Sequence, residues 1–225
     1  VDTNLHRERD AGTSGRCIVM ITPDAERTMH TFLGISEKVS ELELHADAIA
    51  ASQYVYLEGY LVTSPSARAA AVKARQIAES QGVKTALTFS DPNMVKFFRD
   101  GLQEMAGNGV DLLFCNRQEA LFWAETDSIE EAAERLKTTA KTFAITLGSE
   151  GALVFDGQDT HLVPATPVKA VDTNGAGDMF AGAFLYGLTH GYSYAQAGAL
   201  ATKAAARLVT QFGPRLKPEE HKPLL

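Results

Sequence analysis

Short apolar segments alternate with segments of helical period along most of the chain, and this alternation restricts the fold more than any other feature. The segment YVYLEGYL, residues 54–61, predicts a strand, and the segment PSARAAAVKARQIAESQG predicts a helix that ends at Gly82. The same order continues with VKTALTFSDPN and the single helical segment MVKFFRDGLQEMAGNG, then with VDLLFCN and RQEALFWAE. Such spacing is typical of βαβ units. It predicts an α/β fold with a doubly wound, mostly parallel sheet flanked by helices.

Other elements are predicted at both ends of this alternation. Two β-rich runs around a Pro-Asp turn predict a hairpin over residues 16–33. A helix is predicted over SIEEAAERLKTT, with Ser128 as N-cap and Glu131 completing a capping box. The segments TFAITLG and GALVFDG predict two strands, and residues 193–211 predict a final helix. Because no repeat or linker interrupts the pattern, residues 1–225 are expected to form one domain.

The overall composition limits the classes of partner. The net charge of −7 and the isoelectric point near 5.4 argue against a broad nucleic-acid surface. Cys17 and Cys115 have neither metal-site nor disulfide spacing, and both are predicted to be buried thiols. No apolar run approaches the length of a membrane span, and no signal peptide is visible. We therefore expect a soluble cytoplasmic protein that binds neither nucleic acid nor a membrane.

The stretch KAVDTNGAGDMFAGAF, residues 169–184, carries the most specific chemistry. A glycine-rich turn that enters a helix presents unpaired N–H groups and the positive end of the helix dipole, which together suit a phosphate. A carboxylate directly after such a turn repels phosphate, but Asp178 could take a proton from an attacking hydroxyl. The alternative is a tight strand-to-helix turn with Asp178 as an ordinary helix N-terminal acid. A dinucleotide site is disfavoured, because G-A-G-D-M-F lacks glycine at the sixth position and the turn lies late in the chain. A P-loop site is excluded by the absence of G-K-[ST].

Three further polar clusters follow predicted strands: residues 90–93, 116–119 and 146–151. Because ligand sites in α/β sheets lie outside the carboxyl ends of the strands, all are expected at one edge together with residues 172–178. Each has a structural alternative. Residues 116–119 also read as a helix-capping pair, residues 146–151 as a hairpin turn, and the D-P-N of residues 91–93 as a simple turn.

The stretch DTNGAGD followed by AGAF resembles the second signature of the ribokinase-like (PfkB) carbohydrate kinases. NRQE, residues 116–119, resembles the N-x-x-E of that family, and TLGSEG, residues 146–151, resembles its T-x-G-x-x-G nucleotide loop. The resemblance implies an ATP- and Mg²⁺-dependent kinase. In it, Asp178 would be the catalytic base and Gly175, Ala176 and Gly177 the anion hole. Asn116 and Glu119 would organise Mg²⁺ through water, and Thr146, Gly148 and Gly151 would line the nucleotide.

The resemblance also implies a role for Asp172. The leading Asp of the signature lies near a monovalent cation such as K⁺ in this family, and Gly213 belongs to a loop that would supply carbonyl ligands. The alternative is that Asp172 only caps its own turn. Asp91 and Asn93 resemble the D-P-N of some sugar kinases of the family, in which the acid faces the phosphates.

The chain also departs from the family pattern, because the first signature, a glycine pair followed by Asn, is missing. Complete members carry about a third more chain in front, which supplies most substrate contacts, so an incomplete record or a truncated chain is expected. The resemblance is to the adenosine-kinase-like branch, which favours adenosine as substrate over a sugar such as fructose, ribose or ketogluconate. A catalytically silent nucleotide-binding or dimerising domain is the other alternative. A homodimer through the hairpin is also implied.

Overall fold

The structure, a computed structural model, describes residues 12–25 and 27–225. Near the start, strands β1 (Arg16–Ile21) and β2 (Arg27–Phe32) form a two-stranded sheet, which confirms the predicted hairpin. Cys17 was predicted to be buried but is exposed, with its Sγ atom 3.4 Å from the Thr31 hydroxyl. Both strands are exposed over most of their residues, and among the described residues no further strand joins this sheet.

The described part of the chain divides into two compact units, of which the first contains Thr31–Lys141 together with residues 12–17. Its strands are β3 (Tyr54–Glu58), β4 (Lys84–Thr88) and β5 (Val110–Asn116), which pair in that order and in parallel. Leu57 lies opposite Leu87, and Leu87 lies opposite Leu113. The predicted parallel βαβ arrangement is confirmed for these strands.

Six helices belong to this unit among the described residues: α1 (Ala46–Ala50), α2 (Pro65–Ser80), α3 (Pro92–Phe97), α4 (Arg99–Ala106), α5 (Arg117–Ala124) and α6 (Ile129–Leu136). Their apolar faces and the strands bury a core that includes Leu87, Phe89, Leu102, Met105 and Leu112, all 0% exposed. This core fixes the positions at which the parallel strands end, and the polar clusters of this unit follow those ends.

Two local predictions for this unit were wrong. The strand predicted over residues 54–61 ends at Glu58. Gly59 leaves the strand, packs against the Thr88 and Phe89 carbonyl groups, and donates its N–H to the Ser90 hydroxyl. The single helix predicted after Asn93 is broken at Phe98, which has φ −129° and ψ 28°. The helix α4 restarts at Arg99, whose guanidinium donates to carbonyls at the end of α5.

The predicted capping box of α6 is only half formed. Ser128 is the N-cap and accepts a hydrogen bond from the Glu131 N–H, as expected. The Glu131 carboxylate instead accepts from Thr126 and pairs with Arg135, while the Ser128 N–H donates to the Thr126 hydroxyl at 3.3 Å. Competing partners close in the chain therefore replace the second bond of the box.

The second unit contains Ile18–His30 and Thr142–Leu225. Strand β6 (Ala140–Thr146) leads into it and pairs antiparallel with β7 (Ala152–Phe155), and β7 pairs antiparallel with β8 (Thr160–Val163). The connections between these strands are too short for a parallel crossover, which needs a dozen or more residues. The mostly parallel arrangement therefore does not extend to β6–β8, and β8 was not predicted.

Helices α7 (Ala176–Thr189), α8 (Tyr194–Leu208) and α9 (Pro218–His221) complete the second unit. The helices α7 and α8 pack against each other, with Phe184, Ala197, Ala201 and Leu208 buried. Ser193 caps α8 and forms a capping box with Gln196, so the predicted start of this helix is confirmed, although it ends at Leu208. Among the described residues, no helix combines the length and the apolar character needed to cross a bilayer.

Candidate active site

The glycine-rich turn, residues 172–178 and called the glycine loop below, leads directly into α7. Gly175 is the N-cap of this helix and has φ +77°, a conformation that L side chains rarely adopt. A Cβ atom at Gly175 would lie 2.8 Å from both the carbonyl oxygen and the Cβ of Pro214. Both the backbone conformation and the close approach of Pro214 therefore require glycine at this position.

The N-terminus of α7 offers unpaired backbone donors. The Ala176 N–H donates to the Thr173 carbonyl at 3.2 Å, and the Met179 N–H donates to the Gly175 carbonyl at 2.9 Å. No hydrogen bond within the described part of the chain uses the N–H of Gly175 or Gly177. These free donors lie at the positive end of a 14-residue helix, an arrangement that favours an anion.

Asp178 is the third residue of α7, and its side chain is exposed to solvent. Within residues 12–25 and 27–225, the Asp178 carboxylate has no hydrogen-bond or ion-pair partner. An unengaged carboxylate beside an anion-binding turn can accept a proton from a hydroxyl group that approaches the bound anion.

Asp172 is buried, 1% exposed, at the start of the glycine loop. One carboxylate oxygen accepts the Asn174 N–H at 2.8 Å, which is the turn-capping role left open by the sequence. The other accepts the Gly213 N–H at 2.8 Å, so Asp172 also ties the glycine loop to the turn that follows α8. Each carboxylate oxygen of Asp172 already accepts one N–H group. A cation that binds here would therefore have to use the second lone pair of an oxygen while both hydrogen bonds remain.

The turn of the β1–β2 hairpin also contacts the glycine loop, a feature that the sequence analysis did not find. The Ala25 carbonyl accepts from the Thr173 hydroxyl at 2.9 Å and from the Thr173 N–H at 3.4 Å. Arg27 donates to the same hydroxyl at 3.4 Å, which places a guanidinium group beside the glycine loop. The only local signal is the motif TPDAER, which indicates a turn but not what the turn contacts.

Residues 146–151 connect β6 to β7 in the second unit. The Leu147 N–H donates to the Gly151 carbonyl at 2.8 Å, and Thr146 lies opposite Ala152 in the ladder, so this segment is the hairpin turn proposed as an alternative. Gly151 has φ +101°, and a Cβ atom there would lie 2.0 Å from the Val163 carbonyl oxygen. The turn is thus held tightly against the end of β8, and a nucleotide-binding role stays a prediction.

In the first unit, Asn116 and Glu119 form a reciprocal cap at the N-terminus of α5. The Asn116 side chain accepts the Glu119 N–H, while the Glu119 carboxylate accepts the backbone and side-chain N–H groups of Asn116, all at 2.8 Å. Glu119 is 3% exposed, and its charge adds to burial in raising the pKa of the Cys115 thiol. These contacts are the capping pair foreseen from the sequence. A water-mediated contact of these two side chains with Mg²⁺ stays a prediction.

A second polar cluster of the first unit lies beyond β3 and β4. Ser90 has φ +68°, donates to Glu58 at 2.9 Å, and accepts the Gly59 N–H at 2.8 Å. Asp91 is the N-cap of α3 and accepts the Asn93 N–H at 2.7 Å. The structural alternative for the D-P-N segment, a turn that caps a helix, is therefore present.

Comparison with known proteins identifies the family. A model of the pfkB family carbohydrate kinases matches residues 1–221. The chain belongs to the pfkB family of carbohydrate kinases. The adenosine kinase of Saccharomyces cerevisiae is 32% identical to this chain over 230 residues, a match that covers 95% of this chain and 66% of that protein.

Two solved structures are also similar to this chain. Adenosine kinase from Sinorhizobium meliloti has a TM-score of 0.89 at 37% identity and covers 93% of this chain and 64% of that one. A probable sugar kinase from Rhizobium etli CFN 42 has a TM-score of 0.88 at 35% identity and covers 94% of this chain and 66% of that one. The predicted ribokinase-like α/β fold is confirmed.

The match to the pfkB family extends over every segment considered above, from the hairpin to the turn after α8. The chain nevertheless spans only 64–66% of the length of the three proteins just compared. Their activities and substrates belong to longer chains.

Proposed function

We propose that this protein catalyses ATP-dependent phosphoryl transfer to a hydroxyl group of a nucleoside, with adenosine favoured. The observation that carries the proposal is the N-terminus of α7, where free backbone N–H groups adjoin the unpartnered carboxylate of Asp178. Donors for an anion and a proton acceptor for a nucleophile are the two requirements of phosphoryl transfer.

In this proposal, Asp178 accepts the proton of the acceptor hydroxyl as the hydroxyl oxygen attacks the γ-phosphorus of ATP. The bond from that phosphorus to the β,γ-bridging oxygen breaks, and ADP leaves. The N–H groups of Gly175, Ala176 and Gly177 donate to the transferring phosphoryl group, for which Ala176 exchanges its 3.2 Å bond to the Thr173 carbonyl. Backbone donors aimed at developing charge contribute on the order of 3 kcal/mol each to stabilisation of the transition state. Thr146, Gly148 and Gly151 would line the nucleotide.

Asn116 and Glu119 would hold Mg²⁺ through water molecules. When bound, the ion neutralises charge on the β- and γ-phosphates. The reciprocal cap between the two residues fixes both side chains in advance, which supports this role. K⁺ would bind to carbonyl groups beside Asp172, which itself joins the glycine loop to the turn at Gly213.

The choice of adenosine is supported by the adenosine kinases among the similar proteins, from Saccharomyces cerevisiae and Sinorhizobium meliloti. The probable sugar kinase from Rhizobium etli supports a sugar hydroxyl as the second candidate acceptor. A silent nucleotide-binding domain has less support, because it has no need of a free carboxylate at Asp178.

The test is the variant Asp178→Asn, with Asp127→Asn as the matched control because Asp127 is an exposed Asp in the first unit. Turnover of Mg-ATP with the acceptor is expected to fall by about 10²–10⁴-fold in the first variant and to be unchanged in the second. ATP binding, measured by calorimetry, should survive in both. Turnover of Asp178→Asn within about tenfold of wild type, below the usual contribution of a general base, would refute the assignment.

A further inference from the structure

The turn after α8, residues 209–214, supports the glycine loop through backbone groups. The Val209 carbonyl accepts the N–H of Val171 at 2.7 Å and the N–H of Asp172 at 3.3 Å. The Gly213 N–H donates to the Asp172 carboxylate at 2.8 Å. Any shift of this turn therefore moves the start of the glycine loop, because three hydrogen bonds join the two segments.

Arg207, in the last turn of α8, fixes this turn from its other side. Its guanidinium donates to the Thr210 hydroxyl at 2.8 Å, and that hydroxyl donates back to the Arg207 carbonyl at 2.8 Å. The guanidinium also pairs with Glu220, whose other oxygen accepts the Lys217 N–H at 2.8 Å. One side chain thus bridges the turn after α8 and residues 217–224, here called the C-terminal segment.

The C-terminal segment has a second attachment to α8 that does not involve the turn. The Lys203 ammonium donates to the carbonyls of Pro223 at 3.2 Å and Leu224 at 3.0 Å. Lys203 lies one helical turn before Arg207 on the same helix, so the two side chains hold the same segment. Of these two side chains, Arg207 is the one that also contacts the turn after α8.

We propose that Arg207 is a positioning residue for the glycine loop, acting through Thr210 and the turn after α8, with Glu220 as the fixed anchor. The proposal rests on the proposed function, since its catalytic consequence is the correct placement of the anion-binding N–H groups of α7. An arginine suits this role because its planar fork donates to two acceptors at once in a set geometry, which an ammonium group does not reproduce. The Glu220 side chain is 17% exposed, so the anchor is largely shielded from solvent.

A simpler role for Arg207 is that of a cation that stabilises the C-terminal end of the α8 dipole. The variants separate the two roles. Arg207→Lys keeps the cation but not the bridge, Arg207→Met removes both, and Lys203→Met removes the other attachment of the C-terminal segment. All are compared well below their unfolding temperatures, in the natural full-length protein.

For Arg207→Met and Arg207→Lys, kcat is expected to fall by about 10–100-fold, the scale of a small misplacement of reacting groups, with the KM for ATP nearly unchanged. Lys203→Met should keep the wild-type kcat. Hydrogen–deuterium exchange should accelerate in peptides that cover residues 171–180 for both Arg207 variants, but not for Lys203→Met.

The proposal is overturned if Arg207→Lys matches wild type in kcat and exchange, or if Lys203→Met loses as much kcat as Arg207→Met. Exchange that accelerates uniformly over the chain would equally show a general loss of stability in place of positioning. If the wild-type protein transfers no phosphoryl group, the proposed function fails. In that case, hydrogen–deuterium exchange of residues 171–180 in the Arg207 and Lys203 variants alone tests whether Arg207 positions the glycine loop.

Discussion

Gly175→Ala is the most informative single change for the local structure of the glycine loop. At φ +77°, an alanine costs about 1–2 kcal/mol because its Cβ crowds the following carbonyl oxygen. The same Cβ would lie 2.8 Å from the Pro214 carbonyl oxygen, and overlap of this kind typically costs a further 1–3 kcal/mol or so. The free energy of unfolding should therefore fall by about 2–5 kcal/mol.

The glycine loop has little freedom to relax around the added methyl group, because Asp172 is hydrogen-bonded on both carboxylate oxygens and Pro214 follows directly after Gly213. Urea denaturation measures the loss. Gly182→Ala is the matched control on the same helix, since a Cβ at Gly182 meets nothing within 4 Å. It should gain about 0.5–1 kcal/mol. A loss for Gly175→Ala within about 0.5 kcal/mol of zero, as for an ordinary surface change, would refute the reasoning.

Three further predictions follow from individual contacts. Asp172→Asn should lower the free energy of unfolding by about 2–4 kcal/mol, since a buried carboxylate loses charged bonds to two N–H groups; denaturation that matches wild type would contradict this. Gly151→Ala should destabilise the β6–β7 hairpin, because the added Cβ would lie 2.0 Å from the Val163 carbonyl oxygen. Amide exchange in this hairpin at the wild-type rate would contradict this prediction. The pKa of Asp156 is lowered to about 2 by a hydrogen bond from His161 and by hydrogen bonds from the Asp159 and Gln158 N–H groups. The ionised Asp156 therefore stabilises the fold fully above about pH 4, and this stabilisation is lost as pH falls through about 2. NMR titration should show this midpoint, and His161→Gln should raise it towards 3.8; an unchanged midpoint would argue against the pairing.

Much of the fold follows from local patterns. The helix caps at Ser128 and Ser193, the hairpin and the start of α7 all have signals within a few residues of sequence. The reciprocal pair of Asn116 and Glu119 was likewise foreseen, because a capping box is specified by residues three positions apart. Hydrogen bonds between residues close in sequence determine these caps and turns, so the sequence alone predicts them.

The features that were missed depend on contacts between distant residues. Helix α4 begins at Arg99, whose guanidinium donates to the carbonyl of Trp123 at 2.5 Å and lies 4.9 Å from the centre of its ring, and no local pattern reveals that partner. Strand β8 has only four residues and gains its place from pairing with β7. Cys17 is exposed in a two-stranded sheet that no other strand of the described part of the chain joins.

The candidate site likewise contains some features that adjacent residues specify and others that depend on contacts between distant residues. The glycine loop and Asp178 are evident from DTNGAGD, because the chemistry lies in consecutive residues. The supports of the glycine loop lie far away in sequence: Ala25 binds Thr173 across 148 positions, and Gly213 binds Asp172 across 41. Only the folded chain brings these pairs together, which is why the contact of the hairpin turn with the glycine loop could not be predicted.

The measurement that most directly tests the central claim is ADP release by the natural full-length protein with Mg-ATP and, in separate assays, adenosine, ribose, fructose and ketogluconate. The account predicts turnover with adenosine that exceeds turnover with any of the sugars and that is lost in Asp178→Asn. ATP binding without ADP release for every acceptor would contradict the assignment of phosphoryl transfer and would favour a silent nucleotide-binding domain.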